Sequence, residues 1–136
     1  MRMTKGLTLK NIHGLDVLKF KNIKLMYDDD FKRIVFQLSI DFEFFKACTT
    51  LDAEEFDFIN MKDCLKKIYD KEWKSFTYNP IGEQFIMQFD SLENDQIKVR
   101  VKLCNPMFTG KFEFEFNTNP AFIPDLIKEI EIAINS

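Results

Sequence analysis

Apolar side chains recur at every second position over most of this chain, and twice the spacing changes to three or four. The alternating stretches predict strands with one apolar face, and the wider spacing predicts amphipathic helices. Ile34, Phe36, Leu38, Ile40, Phe42 and Phe44 give the longest alternation, and the Tyr27 to Asp30 segment before it reads as a turn. Shorter alternations in LTLKNI (7–12) and LDVLKFKNIKLM (15–26), broken by His13-Gly14 and Asn22, predict two earlier strands. Leu51 to Phe58 reads as an acidic edge strand leading into a helix. Phe76 and Tyr78, then Phe85, Met87 and Phe89, flank the turn signal Asn79-Pro80-Ile81-Gly82.

Helical spacing first appears at Met61, Cys64, Leu65 and Ile68, with Asn60 as the expected N-cap. It returns at Ile123, Leu126, Ile127, Ile130 and Ile134, where Asn119 precedes Pro120, a residue favoured in a first helical turn. The pattern predicts an α+β fold: an antiparallel sheet of about six to eight strands, curved or sandwich-like, with amphipathic helices over about 60–72 and 120–134.

The stretch QIKVRVKLCNPMFTGKFEFEF (96–116) also predicts a register. If paired residue numbers sum to 215, Leu103, Val101 and Val99 face Phe112, Phe114 and Phe116 on the core side. Lys102 then faces Glu113 and Arg100 faces Glu115 outside, with a loop from Cys104 to Gly110. Opposite charges across strands stabilise a hairpin by roughly 0.2–1 kcal/mol per pair. The same mixed-charge face, with Lys98, is also a candidate partner surface, because such faces can encode orientation.

The length of 136 residues fits a single domain, 1–136, large enough to fold around its own core. Hydrophobic residues make up 46% and charged residues 30%, as in a globular protein, and no apolar run nears the roughly 20 residues of a membrane span. We expect no membrane partner, and the N-terminal stretch has no apolar export core. A net charge of −3 without a Lys/Arg cluster speaks against nucleic acid. Cys48, Cys64 and Cys104 are odd in number and widely spaced, which fits reduced, buried thiols in a cytoplasmic protein.

Little in the chain points to catalysis. The sole histidine, His13, sits beside a glycine without a nucleophile nearby, and no GxSxG, Walker, GxGxxG or HExxH motif occurs. The Asp28–Asp30 run reads as a solvated turn, and the cysteines lack the close pairing of zinc sites. We expect a protein that is not an enzyme and holds no cofactor or metal. Asp41 and Glu43, and the run Asp52, Glu54, Glu55 and Asp57, are the candidates for binding a basic partner. A solvated run that protects a sheet edge against unwanted pairing is the preferred explanation of both groups.

FINMKDCLKKIY (58–69) and KFEFEFNTNPAFIPDLIKEIEIAI (111–134), in their order with the long Phe-rich strand, resemble the WapI-related bacterial immunity proteins. The likeness covers roughly residues 32–134, with Phe56 and Phe58 where tryptophan is common and a long N-terminal strand segment as departures. The resemblance implies binding and stoichiometric neutralisation of a cognate polymorphic toxin domain. It transfers no catalytic residue. The alternatives are a small-molecule-binding sheet with a cavity lined by Phe36, Phe42, Phe85, Met87 and Phe114, or an adaptor module.

Overall fold

The computed structural model describes residues 6–135 apart from Asp29, Asp30, Pro106, Phe108 and Thr109. Four strands come first: β1 (Leu7–Lys10), β2 (Asp16–Asp28), β3 (Phe31–Phe42) and β4 (Phe45–Glu54), followed by helix α1 (Glu55–Tyr69). Four more follow, β5 (Ser75–Tyr78), β6 (Phe85–Ser91), β7 (Ile97–Cys104) and β8 (Lys111–Thr118), and helix α2 (Ile123–Ile134). Each set forms its own antiparallel meander, in the order β1-β2-β3-β4 and β5-β6-β7-β8. The chain therefore runs the same plan twice, four strands and a helix, although its sequence carries no visible repeat.

Local chemistry accounts for the irregularity within β2. Leu18 and Phe20 face inward on β2, but so do Ile23 and Leu25, an odd-for-even change of phase. A bulge between Lys21 and Lys24 makes the change, with Asn22 at φ +52° and its side-chain amide donating to Gln37 Oε1 at 2.9 Å. Asparagine tolerates this left-handed conformation better than most residues. The break expected at Asn22 is therefore a bulge inside one strand.

Two boundaries differ from expectation. Phe44 was placed on the inward stripe of the long strand, yet that strand ends at Phe42, which pairs with Phe45 across a two-residue turn. Helix α1 begins at Glu55, ahead of Asn60, because the Glu54 N–H donates to Asp57 Oδ2 at 2.9 Å and closes the first turn. The lysines Lys66 and Lys67 lie in its last turn, where they favour the helix dipole. At the other helix, Asn119 does cap, accepting from the Ala121 N–H at 2.9 Å, but it caps a short 3₁₀ turn (Pro120–Phe122) that leads into α2.

The core lies between the sheets, beneath the helices. Phe20 and Phe36 stack at 4.8 Å, Phe58 of α1 meets both rings edge-on, and Phe85 of the second sheet reaches Phe20 at 5.9 Å. Met61, Leu65, Met87, Phe89 and Ile130 complete it, all fully buried. Phe36, Phe85 and Met87, the expected cavity walls of the alternative reading, are buried in this core, with Phe36 against Phe20 and Phe58 and Phe85 against Phe20 and Tyr78. Cys64 is the buried cysteine, its thiol pushed up by desolvation, while Cys104 is half-buried and Cys48 exposed.

The N-terminal strand is closed by the C-terminal helix. The Thr8 N–H on β1 donates to Glu129 Oε1 of α2 at 3.2 Å. Burial raises the Glu129 carboxyl above the usual carboxylate range, and the Thr8 N–H and nearby Lys10 oppose that rise. An edge N–H so occupied cannot recruit a foreign strand.

Candidate functional site

The residues expected to meet a partner fall in three separate places. Asp41 and Glu43 lie at the β3–β4 turn. Asp52 and Glu54 are on β4, with Glu55 and Asp57 in the first turn of α1. β4 has 10 residues, so its two ends stand about 30 Å apart and the two acidic groups do not form one patch. Lys98, Arg100, Lys102, Glu113 and Glu115 occupy the outer face of the second sheet.

At the β4–α1 junction the carboxylates already serve the fold. Asp52 forms an ion pair with Arg33, and Glu55 meets Lys32 Nζ at 2.9 Å. The hydrogen bond to Glu55, with its charge, holds the Lys32 ammonium above its usual range. Asp57 accepts from the Glu54 N–H. This acidic run therefore closes a strand edge and starts a helix.

The outer face of the second sheet has the predicted register. Leu103, Val101 and Val99 pair with Phe112, Phe114 and Phe116, and Lys102 and Arg100 pair with Glu113 and Glu115. Arg100 Nε lies 3.4 Å from Glu115 Oε2, whereas Glu113 bonds Lys111 of its own strand at 3.4 Å. Exposed pairs of this kind are worth about 0–1 kcal/mol. Of the expected Cys104 to Gly110 loop, Pro106, Phe108 and Thr109 lie outside the described residues, as do Asp29 and Asp30 of the expected aspartate turn.

A feature not singled out in the sequence sits where the two sheets meet. Phe42 stacks on Phe114 at 4.9 Å, Phe45 meets Phe112 at 5.6 Å, and Phe112 meets Phe114 at 5.4 Å. Phe45 is 53% exposed and Phe44, at the turn, 92%. Phe42, Phe44 and Phe45 stand together in the sequence at 42–45, but without Gly, Asn or Pro that run reads as continuous strand. A cleft of about 600 Å³ opens beside them, walled by Thr49, Leu51 and Asp52 of β4 and by Cys104, Lys111 and Phe112. Asp41, Phe42, Glu43 and Lys46 contribute to a second depression of about 880 Å³ with Lys19 and Lys21.

His13 is an exposed turn residue whose N–H donates to Asn11 Oδ1 at 2.9 Å. Among the described residues no three His, Cys, Asp or Glu side chains gather as metal ligands, and no helix is long and apolar enough to cross a membrane.

The description "Immunity protein WapI-like family" matches residues 10–136. The chain belongs to that family. The match begins at Lys10, the last residue of β1, so β2, which stands outside the expected likeness, lies within the matched region. Membership in an immunity-protein family points to toxin neutralisation. Comparison with curated protein sequences gives no match.

Among solved structures, "Crystal structures of trypanosoma bruciei MRP1/MRP2" aligns with a TM-score of 0.52 at 8% identity, covering 98% of this chain and 84% of that one. "Structure of the plant transcriptional regulator PBF-2" aligns at 0.47 and 6% identity, covering 97% and 80%. At 8% identity the first of these speaks to the WapI-like chain's fold alone.

Proposed function

We propose that this protein is a cytoplasmic immunity protein that binds one cognate polymorphic toxin domain and neutralises it as a stoichiometric complex, with no chemistry of its own. Membership of the WapI-like family over residues 10–136 carries the reading. Its own surface supports it. Asp41 and Glu43 offer acidic contacts for a basic partner. The face formed by Lys98, Arg100, Lys102, Glu113 and Glu115 carries both signs in a fixed order, which can orient an encounter more than tighten it. Asp52, Glu54, Glu55 and Asp57 are weaker contacts in this proposal, since binding through them would compete with the pairs that close β4 and α1.

The test is co-expression with the C-terminal domain of the neighbouring reading frame. Growth arrest relieved by this chain, and a one-to-one complex on co-purification, are the expected results. Arrest that persists, with no complex formed, would overturn the reading.

A further inference from the structure

The β3–β4 turn breaks a folding preference and exposes an aromatic ring in doing so. Two-residue hairpin loops that need positive φ at their first position normally place Gly or Asn there. Here Glu43 occupies it at φ +53°, and Phe44 follows at 92% exposure. The other non-glycine residues with positive φ are easily accounted for. Asn22 and Asp95 are of tolerant type, and Lys71 lies just past the α1 C-cap, where left-handed backbone is usual. Among the described residues only Glu43 has a positive φ that neither its residue type nor a helix end explains. Departures of this kind concentrate at functional sites.

Phe44 does not stand alone. Its chain neighbour Phe45, itself exposed, meets Phe112, and the Phe42–Phe114 stack anchors the base of the turn to the second sheet. Aromatic anchors with a polar rim are the usual energetic centre of a protein interface. The rim charges indicate the sign of the partner. Lys111 bonds Glu113, whereas among the described residues Glu43 forms no ion pair, although it shares a depression with Lys19, Lys21 and Lys46. Its carboxylate is therefore available to a cation of a partner beside the exposed ring.

We propose that the Glu43-Phe44 tip is the main docking element, with Phe44 entering an apolar pocket on the toxin domain and Glu43 meeting a basic residue at that pocket's rim. This rests on the immunity reading and names the contact within it. The strained turn is then retained because it presents ring and carboxylate together, on a hairpin held rigid by the rings behind it.

Titration of the neighbouring frame's toxin domain with wild-type protein, Phe44→Asp and Lys128→Ser, alongside growth protection and melting temperature, tests the assignment. Phe44→Asp is expected to weaken binding by about 30-fold or more, the scale of an interface hot spot, with an unchanged melting temperature. Lys128→Ser, on the exposed side of α2, is expected to bind within a few-fold of wild type. Glu43→Gly, which keeps the ring and relaxes the turn, should melt higher and associate several-fold more slowly. Wild-type-like binding by both Phe44→Asp and Glu43→Gly would overturn the docking assignment and leave immunity standing. Failure of the wild-type protein to bind or protect would overturn both.

Discussion

Two groups of phenylalanines in this molecule obey opposite rules. Phe20, Phe36, Phe58 and Phe85 are fully buried and touch on every side, as close-packed interiors require. Phe42, Phe45, Phe112 and Phe114 also touch one another, yet they do so at the margin of the sheets, with Phe44 projecting beyond them. The first group is explained by folding alone. In the second, stability accounts for the half-buried rings, but not for a nearly bare Phe44 carried on a strained turn. Residue type and contact geometry are shared by the two groups, so exposure together with backbone cost is what separates an interior from a surface kept for another molecule.

Truncation should separate the groups by free energy. Phe58→Ala removes a ring that faces both Phe20 and Phe36, and is expected to cost about 3–5 kcal/mol in denaturant unfolding. If it cost less than Phe112→Ala, the division between interior and margin would be wrong. Phe112→Ala, half-buried between Phe45 and Phe114, should lose about 1–2 kcal/mol. Glu43→Gly reverses the sign. Freed of the left-handed penalty, it should gain about 1 kcal/mol by the same measurement. Phe44→Ala should stay within about 0.5 kcal/mol of wild type, because water already surrounds the ring.

A pH series adds the smallest contrast, one carried by a carboxylate that burial has perturbed. The folded-state value of Glu129 is raised, so its contribution is fully present below the unfolded carboxylate range and is lost as pH rises through the raised value. Between about pH 4 and about pH 7 the wild type should therefore lose stability relative to Glu129→Gln, as read from urea midpoints. An unchanged gap would mean that the Thr8 N–H fully offsets the desolvation.

Much of this arrangement is written in residue spacing. Period-two alternation predicts the strands, and the charges of 98–115 predict the β7–β8 register pair by pair, since the offset summing to 215 makes every facing pair compatible. The helices followed from Met61, Leu65 and Ile68, and from Leu126 and Ile130. What alternation cannot report is a change that preserves it. Phe42 to Phe45 keeps the rhythm of a strand through a tight turn, so β4 went unseen along its first half and Phe44 was placed inside. Phe56 and Phe58 alternate as a strand would, although they belong to a helical first turn set by the Glu54–Asp57 contact. The architectural repeat was equally hidden, because each half satisfies the same plan with different side chains. Of the proposed contacts, the charges were visible in the sequence, but their distribution over three distant places depends on how the sheets fold back.

The hydrogen bond from Thr8 to Glu129 joins residues 121 positions apart. Within each half every strand pairs with its neighbour in sequence, so both meanders can form as they are made, but the edge of the first strand waits for the last helix. During synthesis that edge stays open until α2 has left the ribosome. A nascent copy is therefore prone to pair with a wrong strand until α2 emerges, and truncations that remove α2 should aggregate while still keeping most of their strand content.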